Sequence, residues 1–313
     1  MTIRRVLVTG ATGFIGRWVV ARLCDRGADV HAVTHREGGA PPGDLSRDVV
    51  WHRADLHDAA AVRGVCATVR ASHLLHAAWY VEPHDYLTSL ENLRWVGATL
   101  QLAEAFRDAG GERMVGVGTS AEYGPSIGPC HELATPLAPT TLYAASKRAV
   151  HDVLERWSAQ TGVSLAWGRV FNLHGPFEAP SRLVPQLVRA GVTGSAFAMR
   201  FPAQRRDYLH VADTGGALAS LLASPVTGAV NIASGEPVPL ADLAREIEKC
   251  LGEPVALAPA PPAVDPAPAL VADVGRLRGD VGFSPQYTRA AGLADSAAWW
   301  SQWWKTHGDP VLT

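Results

Sequence analysis

The chain has 313 residues, 47% of them hydrophobic and 19% charged, with a formal net charge of −2. These are ordinary values for a soluble globular enzyme, and the absence of a long basic run argues against nucleic acid or an anionic membrane as the main partner. Four scattered cysteines, Cys24, Cys66, Cys130 and Cys250, form no C-x-x-C pair, so reduced, buried thiols and no metal site are expected.

Met1-Thr2-Ile3-Arg4-Arg5 runs straight into the apolar Val6-Leu7-Val8, the first expected strand, leaving no room for a signal peptide. No uninterrupted apolar stretch is long enough to span a bilayer, and a cytoplasmic setting is expected. Residues 14–26 read as a helix, with Ile15, Trp18, Val19 and Leu23 at helical spacing and Gly27 as its stop. Residues 30–33 read as the second strand, 58–70 as a helix and 73–76 as the third strand. A long helix over 90–107, a strand over 114–118, a helix over 140–160 and a strand over 164–170 follow. Such alternation points to parallel β-α-β units with right-handed crossovers. The second half is less regular, with helices expected over 183–190, 212–223 and 240–250 and a Pro- and Ala-rich connection over 253–270. Near the end, Trp299, Trp300, Trp303 and Trp304 fall on one side of a helix, a packing pattern rather than a binding one.

Gly10-Ala11-Thr12-Gly13-Phe14-Ile15-Gly16 follows the first strand and opens the first helix. Missing Cβ atoms let backbone approach a pyrophosphate, and the helix N-terminus offers N–H groups and partial positive charge. Further along, Tyr143 and Lys147 lie four apart on one helix face, so both reach one place. A free tyrosine with a pKa of about 10 is a poor base at neutral pH, and an adjacent ammonium lowers that value.

These motifs resemble the extended short-chain dehydrogenases/reductases, which include the NAD(P)-dependent nucleotide-sugar epimerases, dehydratases and reductases. The resemblance covers nearly the whole chain and rests on several motifs in order. They are Thr9 to Gly16, Asp55-Leu56, His76-Ala77-Ala78, Tyr143-Ala144-Ala145-Ser146-Lys147, Arg169-Val170-Phe171-Asn172 and Arg206-Asp207-Tyr208-Leu209-His210. It implies an α/β fold: a Rossmann-type doubly wound parallel sheet with a smaller mixed α/β C-terminal lobe for substrate. Residues 1–170 would form the cofactor domain, 206–232 would return to it, and 171–313 would mainly form the substrate lobe.

By that resemblance Asp55 and Leu56 hold the adenine edge, while Ala77, Ala78, Trp79 and Phe171 line the cofactor. NAD-preferring relatives place an acid at the end of the second strand, where this chain has Thr34. Without that carboxylate a 2′-phosphate is not repelled, and the Arg36 guanidinium could pair with it, assisted by Arg17. NADP(H) is therefore favoured over NAD(H).

Aligning on Tyr123-Gly124 places Thr119 where such proteins keep a catalytic Ser or Thr, completing a Thr119, Tyr143, Lys147 centre. Dehydratases of this type carry two acids immediately afterwards; here Ser120 and Ala121 stand there, so dehydration is disfavoured. Ser120 is expected at the substrate, and Glu122 faces either a substrate hydroxyl or a structural partner. Asn92 is read as packing or a dimer face, with a proton relay as the other reading. Asn172 and Arg206 would contact the diphosphate of a nucleotide-linked sugar, and Arg182 and Arg189 either contribute or are solvated. Asp207, His210 and His174 are expected in structural contacts.

The function implied is NADPH-dependent reduction of a keto group, at C4, on a nucleotide-activated deoxysugar. The alternatives are an NAD-dependent 4-epimerase, a reductase of a non-sugar ketone and a non-catalytic NADP(H) sensor. A homodimer is expected from family habit.

Overall fold

The computed structural model describes residues 5–35, 48–125, 128–259 and 270–308. Apolar five-residue β1 (Arg5–Thr9) feeds helix α1 (Gly16–Asp25) and then β2 (Asp29–Thr34). Next come β3 (Val49–Arg53), α2 (Ala59–Val69), β4 (His73–His76), α3 (Glu91–Asp108) and β5 (Arg113–Thr119). A short β6 (Pro129–Cys130), α4 (Leu142–Thr161), β7 (Ser164–Val170) and β8 (Asn172–His174) lead into α5 (Leu183–Thr193). The chain continues through β9 (Phe197–Met199), β10 (Arg205–His210), α6 (Val211–Ala223), β11 (Gly228–Ile232) and β12 (Pro237–Pro239). It ends with α7 (Leu240–Leu251), β13 (Leu257–Pro259), β14 (Val271–Ala272), α8 (Gly275–Gly279) and α9 (Arg289–His307).

Seven strands form one parallel sheet in the order β11-β7-β5-β4-β1-β2-β3. Successive residues serve opposite faces, as strand geometry requires. Val6, Val8, Val115 and Ala166 meet Val19 and Leu23 of α1 and Leu218 and Leu222 of α6. Leu7, Leu74, Met114 and Leu165 meet Val62 of α2, Phe106 of α3 and Leu154 of α4. The sheet is thus buried on both sides, which is why its strands read as continuous apolar runs. Strand order reverses between β1 and β4, and the crevice at that switch point is where such sheets bind ligands.

Two expectations need correction. Val49–Arg53 forms a strand at the sheet edge, so His73–His76 is the fourth strand rather than the third. The segment 206–232 is also divided: α6 packs on α1 and β11 joins the large sheet, but β10 lies in a separate sheet ordered β12-β10-β8. A third core gathers α5, α7 and α9 through Leu187, Leu243, Ile247 and Trp300. The tryptophan tail packs as expected: Trp300 Nε1 donates to Gly175 O and Trp304 Nε1 to Pro185 O, each at 3.1 Å. Of the Pro- and Ala-rich connection, Leu257–Pro259 is a strand paired with β9, and residues 260–269 lie outside the described residues. Among the described residues no helix is long and apolar enough to cross a membrane, and no group of His, Cys, Asp or Glu is placed to hold a metal.

Candidate active site

The glycine loop is shaped by close approach. Gly10 has φ +69°, and a Cβ there would stand 2.6 Å from Ala78 N and 2.7 Å from the Ala77 carbonyl carbon. The chain leaving β4 therefore lies directly against the loop, bringing Ala77 and Ala78 beside Gly10. Gly13 is exposed and its N–H donates to Gly10 O at 2.9 Å. Ile15 caps α1 without a side-chain hydrogen bond, and no acid lies in the first turn. The positive helix end is thus left for an external anion, which suits the pyrophosphate of a nicotinamide dinucleotide. Thr12, Phe14 and Ile15 are half-buried around it, and Gly16 is buried.

On the adenosine side, Thr34 ends β2 and pairs in register with Arg53 of β3, a cation that sequence reasoning missed together with its strand. Arg36 lies outside the described residues. Asp55 is exposed and accepts from His57 N at 2.9 Å, while Leu56 is buried beside it. Arg17 is turned inward, with its guanidinium 3.6 Å from the centre of the Phe177 ring and its Nη2 3.5 Å from Thr12 O. Phe171, expected on the cofactor, is instead buried in the core near Tyr123, with ring centres 6.2 Å apart.

At the ends of β5 and α4 the structure brings Thr119, Tyr143 and Lys147 together. The Thr141 hydroxyl caps α4 by accepting from Ala144 N, and Tyr143 and Lys147 follow one turn apart. The neighbouring Thr119 hydroxyl opposes the upward pull that burial exerts on the Tyr143 phenol. Lys147 Nζ donates to Val117 O at 2.7 Å. Burial pulls its ammonium down to about 7, against the attraction of the Glu122 carboxylate. Tyr86 meets Tyr143 edge to face at 5.0 Å, and Arg182 Nη1 reaches the Tyr86 hydroxyl at 3.5 Å.

Glu122 leaves the substrate set. Its Oε1 accepts from Thr119 N at 2.9 Å and Trp167 Nε1 at 3.0 Å, and its Oε2 pairs with Arg169 Nε at 2.9 Å. Fully buried, it is a structural hub behind Thr119. Ser120, also buried, opens the short 3-10 turn Ser120–Glu122. Asn92 is structural as well: it accepts from Trp79 Nε1 at 2.8 Å and donates to Tyr86 O and Ser89 O. The Trp79 ring covers Lys147.

On the other side of the cleft, Asn172 Nδ2 donates to Asp207 O at 3.1 Å and Arg206 Nη2 to Gln204 Oε1 at 3.0 Å. Asp207 accepts from Ser234 and Gly235, His210 pairs with Asp295, and His174 with Ser296, all structural contacts. A residue missed from sequence is Glu178. It is buried with Oε2 unpartnered among the described residues, and burial raises its pKa while nearby Arg182 opposes this. No spacing in the sequence marks it; it follows Phe177, which adopts φ +69°.

Residues 6–233 match the NAD dependent epimerase/dehydratase family. The chain belongs to this family. One relative, the 3-diazoavenalumate denitrifying reductase of a Streptomyces species, is 32% identical, over 97% of this chain and 96% of that protein. The dTDP-4-dehydro-6-deoxy-D-allose reductase of a Streptomyces species is 28% identical, over 95% and 96%. The crystal structure of Thermus thermophilus UDP-glucose 4-epimerase in complex with NAD superposes with a TM-score of 0.83 at 28% identity, covering 95% of this chain and 98% of that one. Like the rest of this epimerase/dehydratase family, the chain is an NAD(P)-dependent enzyme of the extended short-chain dehydrogenase/reductase type.

Proposed function

We propose that the chain reduces a keto group, at C4, of a nucleotide-activated deoxysugar with NADPH. The observation that carries this reading is Thr119 beside Tyr143, with Lys147 one turn further on, at the carboxyl end of β5. When bound, the cofactor supplies the hydride. Tyr143 gives its proton to the carbonyl oxygen, Thr119 donates a hydrogen bond to the same oxygen, and the Lys147 charge stabilises the phenolate left behind. Ser120 and Ala121 provide no acid/base pair, so the site is suited to hydride transfer without loss of water. Arg206 and Asn172 take the diphosphate, with Arg182 at the edge of Tyr86. NADP(H) over NAD(H) is supported by Thr34 in place of an acid and by Arg53 beside it; Arg36 is the third residue in this reading. A homodimer would use α3 and α4, whose outer sides expose Leu93 and Val153.

The test is anaerobic incubation with NADPH and a dTDP-4-keto-6-deoxyhexose, followed by absorbance of the reduced nicotinamide and product chromatography. Stoichiometric loss of NADPH with loss of the keto sugar is expected. Conversion of UDP-glucose to UDP-galactose by protein purified with tightly held NAD, without NADPH turnover, would replace this reading by 4-epimerisation.

A further inference from the structure

Lys147 lies between two indoles. Its Nζ is 3.9 Å from the centre of the Trp79 ring and 6.0 Å from that of Trp167. An ammonium taken out of water loses strong hydration, and the electron-rich faces of aromatic rings return part of it.

Neither ring is free to drift. Trp79 Nε1 is held by Asn92 Oδ1 at 2.8 Å, and the Asn92 amide is fixed by Tyr86 O at 2.7 Å and Ser89 O at 2.9 Å. Trp167 Nε1 is held by Glu122 Oε1 at 3.0 Å, and its ring stacks on His151 at 5.2 Å. Strand β5 makes room for it. Gly116 is opposite Trp167 in register, and a Cβ there would stand 2.2 Å from the ring; one at Gly118 would stand 2.1 Å from Nε1. Gly116 and Gly118 thus leave room for the Trp167 ring and, at Gly118, for Glu122 Oε1 as well.

Of the other charged and titratable groups around the ammonium, Glu122 is the one that attracts it. His76 of β4 is bonded to Thr9 and Thr99, and burial pulls it down to about 3, so it is neutral. His151 of α4 is pulled down to about 4 by burial and is neutral as well. Tyr143 keeps its proton, and Arg169 of β7 is paired with Glu122, which shares its negative charge between the two cations.

We propose that Trp79 and Trp167 form an aromatic cradle that holds Lys147 as an ammonium beside Tyr143, with Asn92 and Glu122 as positioning residues for the two rings. Its importance for catalysis rests on the reading of Tyr143 and Lys147 as the reacting pair; its existence does not.

Lys147, Lys249 and Lys305 are the only lysines in the chain, so a spectrum of protein labelled with 13C at lysine Cε resolves Lys147 directly. Its Cε protons are expected upfield of those of Lys249 and Lys305, shifted by the ring currents. In Trp79→Leu the Lys147 titration midpoint should fall by about half a pH unit or more, the loss of one cation–ring contact. Trp79→Phe should restore most of it, and Glu122→Gln should lower it independently. An unshifted Lys147 signal, or a midpoint unchanged in folded Trp79→Leu, overturns the cradle. If Trp79→Leu does not fold, the shift in the unsubstituted protein and its reduction in Trp79→Phe decide the matter. The titration needs no substrate, so failure of the proposed reaction and failure of the cradle are read separately.

Discussion

Among single residues, Tyr143 and Lys147 make the sharpest claims. Tyr143→Phe removes the proton and keeps the ring against Tyr86, so keto reduction should fall by about 10²- to 10⁴-fold while NADP+ affinity by calorimetry stays unchanged. An equal loss of affinity would make Tyr143 a binding residue instead. With rising pH the first group of the pair to lose its proton is Lys147, at about 7, because burial holds the Tyr143 phenol well above its usual value. Reduction should therefore decline through neutral pH towards tenfold per unit, and a flat profile from pH 6 to 9 would detach Lys147 from the chemistry. The pair and the glycine loop were legible because each is a local pattern on one helix or turn. Glu122 was not, because its role depends on Trp167 and Arg169, brought alongside by the β5–β7 pairing. Glu178 was invisible for a related reason: its burial is a property of the fold that no spacing in the sequence announces.

At the level of elements, the sheet and its helices were read nearly complete, since strands buried on both sides give unbroken apolar runs. Two strands of the large sheet were missed, β11 and β3; in β3, Val49 and Val50 are followed by Trp51, His52 and Arg53, and the edge position leaves half-exposed side chains that blur the pattern. The glycines of β1–α1 and β5 look alike in sequence but differ in consequence. A Cβ at Gly116 meets the Trp167 ring, so Gly116→Ala should lower unfolding stability by about 1–3 kcal/mol in urea titration. Gly13 is exposed, and its Cβ would come only to 3.1 Å from Gly10 O. Gly13→Ala should cost less stability than Gly116→Ala and weaken NADP+ binding at least about tenfold, or 1.4 kcal/mol. Unaltered affinity would mean that the pyrophosphate does not approach this backbone.

Across the whole molecule, burial has made several histidines neutral. His76 and His174 are pulled down to about 3 and His151 to about 4, all from a usual value of 6.5. The unfolded chain therefore binds more protons than the fold below pH 6.5. Stability is present in full above that pH and is lost as pH falls towards the folded values. The urea midpoint should be clearly lower at pH 5 than at pH 7, and equal midpoints would show these rings already charged in the fold. The division of residues 206–232 between two sheets, unread in the sequence, has a different consequence. β11 completes the large sheet by pairing with β7, yet β8, α5, β9, β10 and α6 are all synthesised in between. While the ribosome makes that stretch, β7 carries a bare apolar edge, and the sheet can be sealed only after Ile232 has emerged. The emerging chain is then most open to edge-to-edge aggregation, and a chaperone that covers a strand edge during translation would have its longest opportunity there.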